Sequence, residues 1–122
     1  MSDRAKAVAA VENYLAKLGA GDLEGIMAAY AAEPTVHDPI GSEPKVGREA
    51  VEAFYASILP FTPKTTVLGP ITVTGRYAGF QFRMDLTIGD NPVVVYATEL
   101  FALDEDFLIT EMTAVPDLEA AG

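Results

Sequence analysis

The sequence predicts an α+β fold in which three N-terminal helices pack against a curved antiparallel sheet. Two observations carry that prediction. Apolar residues recur at three- and four-residue spacing up to about Leu59, the signature of amphipathic helices. Beyond that point the chain is rich in β-branched and aromatic residues, in runs separated by turn-forming clusters.

Val8, Val11, Leu15 and Leu18 mark the inward side of the first helix, with Ser2 and Asp3 as N-cap candidates and Gly19 and Gly21 as its stop. Asp22 caps a second helix, which turns Leu23, Ile26, Met27 and Tyr30 inward. Pro34 blocks its continuation, and Thr35-Val36 reads as a short strand. Asp38-Pro39-Ile40-Gly41 is turn chemistry, extended by Pro44 and Gly47. A third helix spans Arg48 to Leu59, with Val51, Phe54, Tyr55 and Ile58 as its apolar face and Pro60 and Pro63 beyond its end. Four strands then form a meander: Thr65 to Thr74, Tyr77 to Ile88, Pro92 to Leu103 and Phe107 to Val115. Gly75, Gly89-Asp90-Asn91 and Asp104-Glu105-Asp106 are the turns between them. Pro116 to Gly122 is expected to fray. Helices on one face of a sheet that curls around them leave a deep apolar cone open at one end, a site for a flat hydrophobic ligand.

The 122 residues fit one domain, 1–122, with one core. With 50% hydrophobic residues the chain is not of the disordered class. Eight basic and 18 acidic residues give a net charge of −10. Such a surface repels a phosphate backbone and an anionic bilayer, so neither nucleic acid nor membrane is an expected partner. The simplest role of the charge is solubility. With no cysteine, disulfides and thiol catalysis are excluded. The longest greasy run, Val93 to Leu103, is broken by Thr98 and Glu99 and is too short to span a bilayer. The opening MSDRAKAVAA has no apolar signal-peptide region, so a soluble cytoplasmic protein is expected.

His37 is the only histidine, which excludes histidine metal clusters and histidine-based triads. There is no Gly-rich phosphate loop. No metal and no cofactor are therefore expected, and carboxylates and tyrosines remain as chemistry. Asp38 stands in a turn before Pro39, a common structural placement that also exposes a carboxylate. Tyr14 lies on the inward side of the first helix; the residues alone fit a core tyrosine or a donor to a ligand. Tyr30 and Tyr55 also face inward, and three buried hydroxyls can satisfy one another by pairing. Glu99 is the sharpest anomaly. Alternation puts it on one face with Val95, Ala97 and Phe101, so this carboxyl is either buried and protonated or paired, or that face meets solvent.

These residues carry a family likeness. Asn13-Tyr14, Gly21-Asp22-Leu23, Tyr30, Thr35-Val36-His37-Asp38-Pro39-Ile40-Gly41 and Phe54-Tyr55 resemble the bacterial ketosteroid isomerases of the NTF2-like, SnoaL-like superfamily. The resemblance covers nearly the whole chain and implies a cone-shaped fold and a steroid Δ-isomerase activity. It implies Asp38 as catalytic base, Tyr14 as oxyanion donor, and Tyr30 and Tyr55 as a supporting hydrogen-bond network. The substrate-binding positions it implies are Leu18, Pro39, Phe54, Phe80, Phe82, Met84 and Met112. It also implies a small-molecule steroid or similar flat ketone as partner, and a homodimer formed through the open face of the sheet. Three positions differ from the family. Glu99 stands where members carry an aspartic acid as second oxyanion donor, His37 where a glutamate is common, and Val115-Pro116 where an aromatic is frequent. Glu99 is accordingly expected to point into the pocket, protonated near neutral pH, and to donate to the same oxygen as Tyr14. Other readings are a polyketide-cyclase-like or dehydratase-like enzyme of the same fold, or a non-catalytic module binding a hydrophobic ligand.

Overall fold

The computed structural model describes residues 1–119. The first helix, α1, runs Asp3–Gly19, and the Ser2 Oγ accepts from the Ala5 N–H at 3.1 Å. Ala7, Val11, Tyr14, Leu15 and Leu18 are its buried stripe; Ala7, rather than Val8, fills the first inward position. At its C-terminal end the Lys64 ammonium donates to the Gly19 carbonyl. Helix α2, Leu23–Ala28, is capped by Asp22, whose Oδ1 accepts from the Gly25 N–H at 2.9 Å. That cap requires glycine at 25, because a Cβ there would stand 2.4 Å from the other Asp22 oxygen.

Helix α2 is shorter than its apolar pattern suggests, and Tyr30 is not on it. Tyr30 opens strand β1, Tyr30–His37. Arg48 supplies the physical reason. Its guanidinium donates to the carbonyls of Met27 (2.9 Å), Tyr30 (3.1 Å) and Ala31 (2.8 Å), taking up acceptors that a longer helix would have used internally. The Ile109 N–H takes the Ala29 carbonyl at 2.9 Å and draws the chain into the sheet. Pro34 lies within β1 rather than before it. It falls in the irregular stretch between Tyr30 and Thr35 where the register shifts, a place that tolerates a missing N–H.

Strand β2, Lys45–Val46, pairs with β1. Helix α3, Arg48–Ile58, follows, and a single 3-10 turn, Leu59–Phe61, ends it. Then come β3 (Lys64–Thr74), β4 (Tyr77–Ile88), β5 (Asn91–Leu103) and β6 (Ile109–Pro116). The expected meander is present, but the sheet has six strands in the order β2-β1-β6-β5-β4-β3 and is mixed, not purely antiparallel. β1 and β6 run parallel, which needs a long crossover, and α3 with the strands up to β5 provides it. Phe107, expected in the last strand, sits in the preceding turn at φ 61°, where the Asp104 Oδ1 accepts from the N–H groups of Asp106 and Leu108. Pro116, expected in a frayed tail, ends β6, while residues 120–122 lie outside the described residues.

The core fills the concave face of this curved sheet. Ladder register sets its rows: Ala78 with Phe101 and Met112, Phe80 with Glu99 and Ala114, Phe82 with Ala97 and Pro116. A register shift between Leu68 and Thr72, with Gly69 at φ 84°, bends β3 around the helices. The opposite face leaves Leu68, Tyr96, Leu100 and Val115 exposed.

Because Arg48 serves three carbonyls at the α2–β1 junction, Arg48→Met should lower the free energy of unfolding by about 1.5–3 kcal/mol, the range for bonds from a charged donor. The urea midpoint should fall with no change in slope.

Candidate active site

The sheet register brings two carboxyls together. His37 pairs with Thr113, so Asp38 follows beside Ala114, and the Ile40 N–H bonds the Ala114 carbonyl at 2.9 Å. Ala114 in turn pairs with Glu99. Asp38 and Glu99 therefore flank β6 on its concave side, with only a methyl group between them in the sheet. Both line a cavity of about 270 Å³, near the small end of ligand sites. Among the described residues, every other side chain in that lining is apolar.

Burial decides how these two acids ionise. Loss of solvent pushes the Asp38 carboxyl up to about 6, against the pull of the Lys45 ammonium. Burial pushes Glu99 well above the usual carboxylic range, and the negative charge of Asp38 raises it further. The first proton lost from the pair therefore leaves Asp38, and Glu99 stays neutral beside it. Glu99 is 4% exposed, and its Oε1 has no hydrogen-bond partner among the described residues.

Behind the cavity lie the three tyrosines. The Tyr55 hydroxyl of α3 is the junction, 2.8 Å from that of Tyr14 on α1 and 2.5 Å from that of Tyr30 on β1. The Tyr14 ring stands edge-on to Phe101, with centroids 5.1 Å apart, and Phe101 is two residues along the strand from Glu99. Burial raises all three phenols, so they are neutral hydroxyls.

Of the positions expected from the sequence, Asp38, Pro39, Phe54, Phe82, Met84 and Glu99 line the cavity. Leu18, Phe80 and Met112 are core residues outside its lining, as are Tyr14, Tyr30 and Tyr55. His37 does not line it either; its Nε2 pairs with Glu111 at 3.2 Å. Residues not anticipated include Ile58, Phe61, Leu86, Pro116 and Leu118 in the wall, and Lys45, which donates to the Asp38 carbonyl at 2.7 Å. Strand alternation through β4 extends to Leu86 and would have found it; Phe61, in the short 3-10 turn, and Leu118, in a turn after β6, carry no such signal. Among the described residues no group of three His, Cys, Asp or Glu is placed to hold a metal ion. No helix there is long and apolar enough to cross a membrane.

A curved sheet wrapped around three helices, with an apolar cavity holding two acids, defines an NTF2-like protein, and the SnoaL-like domain profile matches residues 11–112. The chain belongs to the SnoaL-like family. It is 36% identical over 110 residues to a steroid Delta-isomerase of Nocardioides simplex, covering 90% of this chain and 89% of that one. The ketosteroid-isomerase likeness read from the sequence thus stands on a nearly full-length relative. It is also 36% identical over 73 residues to the epoxide hydrolase LasB of Streptomyces lasalocidi, covering 50% of this chain and 26% of that protein. A solved structure concerned with the epoxide hydrolase/cyclase-like enzyme SalBIII superposes with a TM-score of 0.91 over 98% of this chain and 96% of that one, at 21% identity, a likeness of fold.

A raised acid has a consequence for stability. The folded protein keeps the Glu99 proton that the unfolded chain releases above its ordinary value of ~4.3, so stability falls as pH rises from there towards the folded value. Asp38 contributes the same sign, complete by about pH 6. Above about pH 6 the wild type should continue to lose up to ~1.4 kcal/mol per pH unit, and Glu99→Gln should be flat there. Urea unfolding at a series of pH values measures the difference.

Proposed function

We propose that this protein is a steroid Δ-isomerase, converting 3-oxo-Δ5-steroids to their conjugated Δ4 isomers by proton transfer within the substrate. The observation that carries the reading is the pair of acids with opposed proton preference in one apolar cavity, Asp38 ionising first and Glu99 held neutral. The nearly full-length steroid Delta-isomerase relative supports it. Ketosteroid isomerases are a known instance of this division of labour between two carboxyls.

In this mechanism the Asp38 carboxylate removes the C4 proton next to the ketone, and the electrons move into a dienolate. The protonated Asp38 then returns the proton to C6 on the same face of the flat ring system, so one base serves both steps. The developing oxyanion takes a hydrogen bond from neutral Glu99. Tyr14, which lies in the core outside the cavity lining of the unliganded protein, is the second donor in this reading: it accepts from Tyr55 and so keeps its own single proton for the ligand oxygen. Each well-aimed donor contributes roughly 3–4 kcal/mol to the transition state. The Tyr30–Tyr55 pair orients and polarises Tyr14. Val95, Ala97, Met84 and Phe82 supply a dry wall that strengthens these bonds. No metal, nucleotide or other cofactor enters any step. The protein acts as a homodimer through the exposed apolar face around Tyr96, Leu100 and Val115.

A second reading follows from the partial likeness to an epoxide hydrolase. The same pair could open an epoxide. Asp38 would take a proton from water as its oxygen attacks carbon, the C–O bond would break, and Glu99 would protonate the departing oxygen.

Incubation with a Δ5-3-ketosteroid should produce enone absorbance, and kcat/KM should rise with pH to a plateau, with a midpoint near about 6. Asp38→Asn should lower turnover by roughly 10²–10⁴-fold while still binding a steroidal phenol. Near-native turnover in that variant would remove Asp38 from the mechanism. Glu99→Gln, which donates but cannot ionise, should be no faster than wild type; a several-fold acceleration at neutral pH would show that Glu99 is charged. Silence towards the ketosteroid with turnover of an epoxide would select the second reading.

A further inference from the structure

Lys45 is a charged residue beside the cavity that the chemistry above leaves without a task. It follows Pro44 in the short strand β2, where it pairs with Val36 of β1, two residues before Asp38. From there its ammonium reaches the Asp38 backbone carbonyl at 2.7 Å and lies 4.9 Å from the centroid of the Phe54 ring. Phe54 and Asp38 are both cavity wall. A single cation thus joins the base-bearing turn to α3 at the cavity's edge.

Closing the turn does not by itself require this lysine. The turn is already tied by the N–H and Oγ of Ser42, both donating to the Pro39 carbonyl at 3.1 and 2.6 Å, and by the Ile40 N–H on Ala114. Nor is Lys45 a direct ion-pair partner of the carboxylate: Asp38 takes part in none of the ion pairs among the described residues. The ammonium sits on the same residue's main chain instead, close enough for its field to be felt and off the oxygens that a substrate proton must reach.

We infer that Lys45 is a positioning residue, holding Asp38 by its carbonyl and supplying the positive charge that favours the carboxylate while leaving both carboxylate oxygens open to the cavity. The inference rests on the reading of Asp38 as the base. Among the described residues, the groups that face Asp38 from the packed elements do not offer that charge. Glu99 faces it from β5, Tyr14 from α1 and Tyr30 from β1, none of them cationic. On α3 the nearest residues are Phe54 and Ile58 in the shared wall, with Tyr55 beside Phe54. His37 is turned to Glu111 of β6, its Nε2 3.2 Å from that carboxylate. The direction in which Lys45 moves Asp38 agrees with its place.

The deciding measurement is a carbon-13 NMR titration of the Asp38 side-chain carboxyl in the unliganded protein, with the pH profile of kcat/KM beside it. In Lys45→Met the Asp38 midpoint should move up by roughly one pH unit, and in Lys45→Arg it should stay within a few tenths. Lys45→Gln keeps a polar amide donor, one bond shorter than the lysine, but carries no charge, so it should shift the midpoint as Met does; it also serves if the Met variant does not fold. The acidic limb of kcat/KM should move with the midpoint, and well above it activity should return to within a few-fold of wild type. A merely structural lysine would lower activity at every pH and leave the midpoint in place. An unchanged midpoint in folded Lys45→Gln would overturn the inference, even with isomerisation intact. A shifted midpoint with no isomerisation would sustain it and fail only the proposed reaction.

Discussion

The parallel pairing of β1 with β6 determines where every part of the site falls. It is one contact between distant parts of the chain, and it places the end of β1 beside Ala114. From that register Asp38 inherits its view across one strand to Glu99. Arg48 secures the start of the same strand, and the Ala29 carbonyl joins it to Ile109. A slip of one residue would send every side chain of β1 to the opposite face and separate the two acids.

Once placed, the acids are differentiated by solvent rather than by chemistry. Their ordinary affinities for protons differ by less than half a unit. Glu99 is nearly sealed, whereas Asp38 sits at the edge of the cavity within reach of Lys45. Desolvation falls more heavily on the inner group, and the charge of the outer one adds to it. Beyond the Lys45 charge beside the outer acid, the arrangement rests on an apolar wall and a mouth on one side.

The helices and the four-strand meander are legible because their periods are long and regular, and the anomalous Glu99 is legible for the same reason: alternation through β5 admits one concave face. What local pattern does not carry is pairing at a distance. The apolar spacing Leu23, Ile26, Met27, Tyr30 fits a helix as well as it fits what is observed. Groups from later elements, the Arg48 side chain and the Ile109 N–H, end α2 early and turn Tyr30 into the first residue of a strand. Lys45 is invisible for a related reason: a lysine in a turn after proline is ordinary surface until β1 and β2 pair and bring its ammonium back over the turn. The wall residues Phe61 and Leu118 lie in a single 3-10 turn and in the turn after β6, segments too short for periodicity to mark.

Helix α3 carries an uneven share of this arrangement. Arg48 at its start fixes the α2–β1 junction, Tyr55 joins the three hydroxyls, and Phe54 and Ile58 form cavity wall. A sideways or axial displacement of this one helix would disturb all of these together, so it has little freedom to vary. Met84, Leu86, Val95 and Ala97 face the same cavity from the sheet, where each side chain can change size without moving a shared anchor. Adaptation to ligands of different girth should therefore accumulate on the sheet wall, while the helix wall acts as a template inherited intact.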